Sequence, residues 1–495
     1  MEKLHPIMFA GTGSDVGKSI IAAAFCRIFR QDGYHPAPFK AQNMALNSYA
    51  TPEGLEIGRA QAVQAEAAGV PCHTDMNPLL LKPSSDHTSQ VVLNGRPIGN
   101  RSAYEYFRVE GREELRHEVC SAFDRLATRY NPIVMEGAGS ISEINLRDTD
   151  LVNLPMALHA GADVILVGDI DRGGVFASVY GSLMLLRPYE RERIKGILIN
   201  KFRGDIRLFE SGVKMLEELC GIPVVGVVPY YKDIYIEEED SLALATKSVQ
   251  TEQGKVNIAV VLLRHLSNFT DFNVLERDPR VHLFYTNNVD ELAKADIILL
   301  PGSKSTLADL HELRRNGVAQ AVIRAHREGA TVMGICGGYQ IMGQEVCDPD
   351  HVEGEIERLP GLGLLPVSTH MTGEKITRQI KFRLSAVARE NSHLSTDGMQ
   401  ANLEGYEIHM GTTVPVYDAP VSPLNLLEDG GADGYFLDRT CIGTYIHGIL
   451  DNPSFIDFLL EPFADKIADA GKSFDYHQFK EEQYNKLADH VRSHV

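Results

Sequence analysis

The sequence predicts an α/β protein with two domains, each built around a mostly parallel sheet. Short apolar runs alternate with longer amphipathic stretches along most of the chain, as a sheet crossed by helices requires. The chain also has 495 residues, and a single hydrophobic core rarely exceeds roughly 300 residues. We therefore expect a first α/β domain at residues 1–245, a second at 246–455, and a helical extension at 456–495.

The first domain is predicted from six apolar runs, each of which ends where a polar or glycine-rich loop begins. In open parallel sheets, ligands bind beyond the carboxyl ends of the strands, so these loops are the candidate binding region. The predicted strands are Ile7–Ala10, Ala37–Lys40, Ile133–Glu136, Val164–Gly168, Gly196–Asn200 and Val224–Val228.

The pattern lapses after residue 233 into the acidic run Glu237–Asp240 and a polar stretch, which places a domain boundary near 245–256. Beyond it, further apolar runs predict a second α/β domain. The predicted strands are Val256–Leu263, Ile297–Leu300 and Thr331–Ile335, and the predicted helices are Asp290–Lys294, Thr306–Arg315 and an amphipathic closing helix with Phe479, Tyr484, Leu487 and Val491 on one face.

The charge balance excludes a general attraction to polyanions. With 67 acidic and 48 basic residues, the chain carries a formal charge of −19, which repels nucleic acid and anionic lipid. No apolar run approaches the roughly 20 residues that cross a bilayer, so we expect neither nucleic acid nor a membrane as partner. Met1–Ala10 leaves no room for a signal-peptide core, which favours the cytoplasm.

A phosphate-binding loop is predicted between the first strand and the apolar stretch that follows it. Its glycines allow backbone amides to turn toward an anion, Lys18 can reach the β and γ phosphates, and the Ser19 hydroxyl can bind Mg²⁺. An alternative is that the chain is a partition-type ATPase. Those proteins carry an additional lysine early in this loop, and Thr12 stands at that position here, so the diagnostic residue of the alternative is missing. The predicted ATP contacts are Gly11, Thr12, Gly13, Ser14, Asp15, Val16, Gly17, Lys18 and Ser19.

Other strand ends add candidates for the same site. Glu136 ends an apolar strand and suits a second Mg²⁺ ligand beside Ser19, although it could instead cap a helix. Lys40 could offset charge on the transferred phosphoryl group. Asn200 and Lys201 also follow a strand, where the amide could contact the edge of a nucleobase.

The second domain contains one cysteine in the context of a nucleophile. The seven cysteines form no Cys-x-x-Cys pair, unlike a disulfide scaffold or a zinc cluster. Cys336 lies between small residues at a strand-to-helix turn, which predicts a nucleophile elbow with Gly337 and Gly302 as oxyanion donors. His447 follows a late apolar strand and is the candidate base.

The sequence has no acid at the usual position for orienting the histidine. Ile449 stands two residues beyond His447, where an acid would hold the imidazole, so we expect a Cys–His dyad unless Glu407 or Asp451 substitutes. Loss of that carboxylate weakens catalysis without abolishing it, and the expected enzyme is a slow or tightly coupled glutaminase.

These motifs together resemble a known family. Gly11–Ser19, Glu136 and Asn200–Gly204 resemble the dethiobiotin-synthetase-like P-loop NTPase domain, and Gly334–Gln340 with His447 resembles a class I glutamine amidotransferase domain, which is flavodoxin-like. Fused in this order, they resemble the cobyrinic and cobyric acid amidating synthases. Segments that match this group over nearly the whole chain are Phe39–Ser48, Glu56–Gln61, Met76–Pro83 and Tyr406–Gly411.

The resemblance implies ATP- and glutamine-dependent amidation of the b, d, e and g carboxylates of adenosylcobyrinic acid a,c-diamide, with ATP and Mg²⁺ as cofactors. A cobyrinic acid a,c-diamide synthase or a peptidoglycan-amidating relative is the nearest alternative. A nucleotide-switched binding protein with an inactive amidotransferase domain is the alternative of a different class. The candidate contacts for the corrinoid are Gln42, Asn43, Asn47, Gln61, Glu407 and His409, with Arg264–Asp271 as a further wall.

Overall fold

The computed structural model describes residues 2–83, 88–102, 106, 112–237, 251–392, 402–468 and 474–495. The chain divides into two compact units. Unit 1 comprises Met1–Ala45, Leu55–Glu237 and Gln478–Val495, whereas unit 2 comprises Leu46–Gly54 and Glu238–His477. The units follow the predicted order, but one short segment and the C-terminal residues group differently from the predicted ranges. The expected boundary at 245/246 lies outside the described residues.

Unit 1 is built on a six-stranded sheet in which every neighbouring pair is parallel. All six strands predicted from apolar runs are present, because such runs are buried on both faces of a sheet covered by helices. Phe9, Val134 and Leu166 in its centre are 0% exposed. Across the sheet the strands are Val224–Pro229, Ile194–Phe202, Asp163–Asp169, Ile7–Gly11, Ile133–Glu136 and Ala37–Phe39.

A smaller mixed sheet, which the sequence did not predict, also belongs to unit 1. Its strands, in spatial order, are Gln42–Met44, Leu79–Pro83, Thr88–Leu93 and Arg96–Ser102, and a further short strand is Glu56–Gly58. The helices of this unit are Lys18–Gln31, Arg59–Ala68, Arg112–Ala127, Leu154–Ala160, Val175–Leu185, Pro188–Arg191, Glu210–Cys220 and Tyr476–Arg492, with 3-10 turns at Thr74–Met76, Ile144–Thr149 and Ile206–Phe209.

The predicted closing helix is present as Tyr476–Arg492 and packs within unit 1. Its buried face includes Tyr484, Leu487 and Val491. The guanidinium of Arg27 on the first helix donates to Glu481 at 2.7 Å. The helix therefore completes the fold of unit 1, although unit 2 precedes it in the sequence.

Unit 2 has its own six-stranded sheet, which is parallel except for one edge strand. The predicted strands at Ile297–Leu300 and Thr331–Ile335 are confirmed, and the strand predicted at Val256–Leu263 ends at Val261. Across the sheet the strands are Val281–Thr286, Val256–Val261, Ile297–Leu300, Thr331–Ile335, Cys441–Thr444 and Tyr435–Asp438.

A second sheet of unit 2 is dominated by the long antiparallel pair of strands Val367–Leu384 and Leu403–Pro415. Its remaining strands are Arg358–Pro360, Glu345–Cys347, Asn425–Leu427 and Ala432–Asp433. Leu266–Ser267 pairs with Gly302–Ser303, and Ser48–Ala50 is a further short strand. The helices are Asn273–Arg277, Val289–Leu292, Thr306–Arg315, Val318–Arg327, Gly337–Met342, Ala386–Glu390 and Pro453–Leu460, with 3-10 turns at Phe269–Phe272, Ile449–Asp451 and Glu461–Lys466. Among the described residues, no helix combines the length and the apolar character that a bilayer crossing needs.

Candidate functional site

The glycine-rich loop of unit 1 joins the strand Ile7–Gly11 to the helix Lys18–Gln31, as predicted. Two of its glycines are required by close contacts. Gly17 has φ +96°, and a Cβ there would lie 2.2 Å from Asn200 Nδ2. A Cβ on Gly11 would lie 2.8 Å from Lys18 Nζ. Any larger residue at either position would therefore deform the turn that presents backbone amides to a phosphate.

Lys18 brings a buried positive charge to this loop. Its ammonium donates to the carbonyl oxygens of Gly13 and Gly139, each at 2.9 Å. Burial lowers the pKa of Lys18 to about 8, and repulsion by Lys40 adds to this effect while attraction by Glu136 opposes it. A phosphate in the loop would supply the negative charge that this desolvated cation lacks.

The predicted metal ligands lie side by side. Ser19 Oγ donates to Glu136 Oε1 at 2.8 Å, and Lys40 Nζ donates to the same oxygen at 2.8 Å. Burial alone would raise the pKa of Glu136, but the charge of Lys40 and three hydrogen bonds outweigh it, so the pKa is lowered. An ionised carboxylate beside a hydroxyl offers the hard oxygen ligands that Mg²⁺ prefers when phosphates and waters complete its shell.

Gln64 belongs to this cluster, although no sequence motif indicates it. Its amide nitrogen donates to Glu136 Oε2 at 2.6 Å and to the carbonyl oxygen of Ser19 at 3.3 Å. The side chain projects from the helix Arg59–Ala68, one turn beyond the matched segment that ends at Gln61. Gln64 therefore holds the carboxylate from the side opposite Lys40.

Asn200 and Lys201 are close to the loop, but their hydrogen bonds are to its backbone. Asn200 Nδ2 donates to the carbonyl oxygen of Val16 at 2.9 Å. Lys201 Nζ bonds to the carbonyl oxygen of Asp15 and pairs with Asp169 at 3.0 Å. This arrangement braces the loop, and the predicted contact with a nucleobase stays a prediction.

Three of the predicted corrinoid contacts lie in unit 1. Asn43 and Gln61 are 3% and 0% exposed, and Asn43 Nδ2 donates to Gln61 Oε1 at 3.2 Å. Gln42 accepts a hydrogen bond from the Tyr106 hydroxyl at 2.6 Å and borders a cavity of about 180 Å³. The cavity is also lined by Gly139, Ser140, Arg112 and Arg147, and Gly139 is the residue whose carbonyl contacts Lys18.

Cys336 has the backbone geometry of a nucleophile elbow. It follows the strand Thr331–Ile335 and precedes the helix Gly337–Met342, with φ 53° and ψ −113°. This strained conformation needs small neighbours, since a Cβ on Gly338 would lie 1.9 Å from the carbonyl oxygen of Leu300. The thiol is buried, and Sγ lies 3.6 Å from the carbonyl oxygen of Ile408.

The two predicted oxyanion donors are near this elbow. A Cβ on Gly337 would lie 2.8 Å from the backbone nitrogen of Ser303, and a Cβ on Gly302 would lie 3.3 Å from His447 Cε1. The strand Gly302–Ser303 therefore passes between the cysteine turn and the histidine. Such backbone amides can stabilise charge on a tetrahedral oxygen.

The His447 ring is buried beside Cys336, and the carboxylate of Asp271 contacts it. The Nδ1 atom of His447 lies 2.7 Å from Asp271 Oδ2, while the Gly448 amide donates to Asp271 Oδ1 at 3.0 Å. The Cys336 thiol is near enough to the imidazole to raise its pKa. Burial alone would lower the pKa of His447, but Asp271 and Cys336 raise it to about 10.

The expectation of a dyad without an orienting carboxylate is therefore wrong, and the low glutaminase rate inferred from it loses its basis. Neither proposed substitute holds the histidine: Glu407 pairs with Arg378, and no contact between Asp451 and the ring is found among the described residues. Asp271 escaped notice because it lies 176 residues before His447. The sequence predicts its stretch, Arg264–Asp271, only as a wall of the substrate pocket.

Asn47, Glu407 and His409, the remaining predicted substrate contacts, all lie in unit 2. Asn47 Oδ1 accepts a hydrogen bond from the Phe269 amide at 3.3 Å. The His409 ring stacks on Tyr445 with 3.8 Å between centroids, and burial lowers the pKa of His409 to about 4. The imidazole of His409 is therefore neutral at physiological pH, in contrast to that of His447.

Comparison with known proteins gives matches to both units. The family model for a CobQ/CobB/MinD/ParA nucleotide binding domain matches residues 7–243, and the model for a CobB/CobQ-like glutamine amidotransferase domain matches residues 257–455. The first covers the loop with Lys18, and the second covers Asp271, Cys336 and His447.

Full-length relatives carry the same name. The chain is 83% identical over 494 residues to the cobyric acid synthase of Bacteroides fragilis, which covers 100% of this chain and 97% of that protein. It is 75% identical to the cobyric acid synthase of Phocaeicola vulgatus and 48% identical to that of Syntrophobacter fumaroxidans, with the same two coverages. The chain therefore belongs to the family of cobyric acid synthases, which are glutamine-dependent amide ligases.

Proposed function

We propose that this chain amidates the b, d, e and g carboxylates of adenosylcobyrinic acid a,c-diamide, using ATP to activate each acid and glutamine as the source of nitrogen. The observation that carries the proposal is the buried group of Cys336, His447 and Asp271, in which Asp271 contacts the His447 ring, in a chain that also holds a glycine-rich loop before the helix at Lys18. Neither the cysteine site of unit 2 nor the phosphate-binding loop of unit 1 would by itself form an amide from a carboxylate and glutamine.

The first step is phosphoryl transfer in unit 1. A carboxylate is a poor electrophile, so its oxygen attacks the γ-phosphorus of ATP, the bond to the bridging oxygen breaks, and an acyl phosphate and ADP result. Lys18 and Lys40 offset the negative charge on the transferred group. Ser19 and Glu136 would hold Mg²⁺, which supplies further charge compensation when bound.

The second step releases ammonia in unit 2. The Cys336 thiolate attacks the side-chain amide carbon of glutamine, and the oxygen develops charge that the amides of Gly337 and Gly302 stabilise. The His447 imidazolium gives its proton to the leaving nitrogen, so that ammonia departs and a thioester remains. Water, deprotonated by His447, then hydrolyses the thioester to glutamate.

Asp271 completes this proposal as a positioning residue. Its carboxylate keeps the proton of His447 on Nδ1 and directs the other ring nitrogen toward the thiol. The charge of Asp271 also stabilises the imidazolium that must exist before proton transfer. Ammonia finally attacks the acyl carbon, the bond from carbon to the phosphate oxygen breaks, and the amide and inorganic phosphate form.

The test offers the purified protein adenosylcobyrinic acid a,c-diamide or cobyrinic acid, each with MgATP and glutamine, and follows the products by mass spectrometry. Each conversion of a carboxylate to an amide lowers the mass by the same small step, and a series of such steps is expected for the a,c-diamide. Amidation of cobyrinic acid alone would assign the a,c-diamide synthase instead. ATP turnover without any amide product would favour a nucleotide-switched binding protein.

Replacement of the nucleophile tests the source of nitrogen. In Cys336→Ala, glutamine is expected to support no amide formation, whereas ammonium salts at mildly alkaline pH still support it, because unit 1 is unchanged. The measurement is amide product from each nitrogen source, with Cys220→Ala as the matched control at a cysteine outside the site. Retained use of glutamine by Cys336→Ala would remove this residue from the mechanism.

A further inference from the structure

The cavity of unit 1 lies directly beside the glycine-rich loop. All of its lining residues belong to unit 1, and the segment Gly139–Ile141 forms one of its walls. The same segment is hydrogen-bonded to the loop: Ser140 Oγ donates to the carbonyl oxygen of Thr12 at 2.9 Å, and the Ile141 amide donates to that of Gly11 at 3.1 Å. A group inside the cavity is therefore next to the residues that would bind the phosphates of ATP.

The volume of the cavity limits what can enter it. It measures about 180 Å³, and a cavity of about 150 Å³ is large enough to hold a benzene molecule. A carboxyalkyl arm, which consists of a carboxylate on a short methylene chain, is of this size, whereas a corrin macrocycle is many times larger. The cavity therefore fits one side arm of a corrinoid while the macrocycle stays outside.

Arg112 places a buried positive charge on the lining of this cavity. It is 7% exposed and begins the helix Arg112–Ala127. Its guanidinium bonds to the carbonyl oxygen of Thr149 and lies 4.8 Å from the centre of the Tyr106 ring. The Tyr106 hydroxyl in turn donates to Gln42, another lining residue, at 2.6 Å. These contacts fix the guanidinium at the cavity, and its planar fork of N–H groups matches the two oxygens of a carboxylate.

The acids that also line the cavity are accounted for by other contacts. Asp150 Oδ1 accepts hydrogen bonds from two backbone amides at 2.8 and 3.1 Å, and Glu190 accepts one from the Arg187 amide at 2.8 Å. Glu143 is exposed, so solvent screens its charge. Arg147 is a second cation on the lining. An anionic arm that enters the cavity therefore meets two guanidinium groups.

We propose that this cavity takes up the carboxyalkyl arm that is to be amidated, and that Arg112 binds its carboxylate. The inference rests on the proposed function, since it assumes that the substrate is a corrinoid acid and that ATP binds at the glycine-rich loop. One carboxylate oxygen attacks the γ-phosphorus, and ADP leaves. A carboxamide arm carries no charge for Arg112 to pair with, so the cavity selects arms that are still acids over arms that are already amides.

Replacement of Arg112 tests this role. In Arg112→Met, the KM for the a,c-diamide should rise about 10- to 100-fold, because a hydrogen bond to a charged group is lost, while the affinity for MgATP stays at the wild-type value. Arg112→Lys, which keeps the charge without the fork, should restore part of the loss. Arg116→Met, at an exposed position on the same helix, is the matched control and should keep the wild-type KM. Initial rates of amide formation and calorimetry with MgATP measure these quantities.

A small carboxylate tests the cavity of the unaltered protein. Sodium propionate should inhibit amidation competitively against the a,c-diamide but not against MgATP, and propionamide, which has the same shape without the charge, should inhibit far more weakly. Arg112→Met should lose most of the inhibition by propionate. Equal inhibition by propionate and propionamide in the wild type would contradict the selection of carboxylates.

The outcomes separate this inference from a folding defect and from failure of the proposed function. An unchanged KM for the a,c-diamide in Arg112→Met, with MgATP affinity retained, would overturn the proposal. If Arg112→Met also lost its affinity for MgATP, Arg112→Lys and the comparison of propionate with propionamide would decide. The absence of any amide product in the wild type would instead overturn the proposed function.

Discussion

The carboxylate of Asp271 and the imidazole of His447 are both buried, at 4% and 1% exposure. A buried charge is costly unless it is paired, and the carboxylate of Asp271 stabilises the protonated imidazole of His447. The sequence indicated the cysteine and the histidine because their local contexts are informative. It did not indicate Asp271, because an isolated aspartate before a phenylalanine carries no local signature of a partner far away in the chain.

Loss of this carboxylate has a specific expected effect. In Asp271→Asn, kcat/KM for glutamine falls roughly 10²- to 10⁴-fold, because an amide can favour the wrong imidazole tautomer and leaves the imidazolium without its counter-charge. Amide formation from ammonium is unchanged. Steady-state glutaminase assays check this, with Asp290→Asn at an exposed helix start as control. Unaltered glutaminase activity in Asp271→Asn would contradict the assigned role.

The raised pKa of His447 gives a pH dependence with a defined sign. Because the pKa is raised from 6.5 to about 10, the imidazolium persists through neutral pH and is lost only as pH rises toward that value. Glutaminase activity should therefore hold its plateau well above pH 7 and decline on the alkaline side. In Asp271→Asn the decline moves to lower pH. Profiles of kcat/KM for glutamine against pH measure the alkaline decline in the wild type and in Asp271→Asn. A decline at higher pH in Asp271→Asn than in the wild type would contradict the prediction.

At the scale of elements, the apolar strands were predictable and the polar ones were not. Ile133–Glu136 is buried at every position, so its composition alone indicates a central strand. Val367–Leu384 alternates buried, half-buried and exposed residues and includes several charges, so its pairing with Leu403–Pro415 depends on contacts that a linear pattern does not record. Gln42–Met44, whose burial is also mixed, escaped prediction for the same reason.

The glycine-rich loop allows a matched pair of substitutions. Gly17→Ala should abolish ATP binding, because φ is +96° and the new Cβ would overlap Asn200 Nδ2 at 2.2 Å. Gly181→Ala, within the helix Val175–Leu185, adds a Cβ that meets nothing within 4 Å and should leave binding intact. Titration calorimetry with MgATP separates the two, and equal affinities would contradict the strained conformation at Gly17.

At the scale of the whole molecule, the closing helix Tyr476–Arg492 contributes to the stability of unit 1, although it lies at the far end of the sequence. Leu487 is 1% exposed on its inner face, so Leu487→Ala should lower the unfolding free energy of unit 1 by about 2–5 kcal/mol. Leu208→Ala, at a side chain that is 82% exposed in the same unit, should be nearly neutral. Denaturant titration, with ATP binding as the recorded signal, measures this effect. If Leu487→Ala lowered only the denaturant midpoint recorded by glutaminase activity, the prediction would be contradicted.

The position of that helix also limits how the enzyme can be taken apart. Lys480 and Tyr484 bond to Glu66, and Gln483 accepts a hydrogen bond from the Tyr235 amide, so residues from both ends of the sequence share one core. A protein cut near residue 245 would yield an ATP-binding fragment stripped of its last helix, with apolar surface left open to water. A separable version of this synthase would need that helix grafted back onto the N-terminal fragment, with the glutaminase ending before Tyr476.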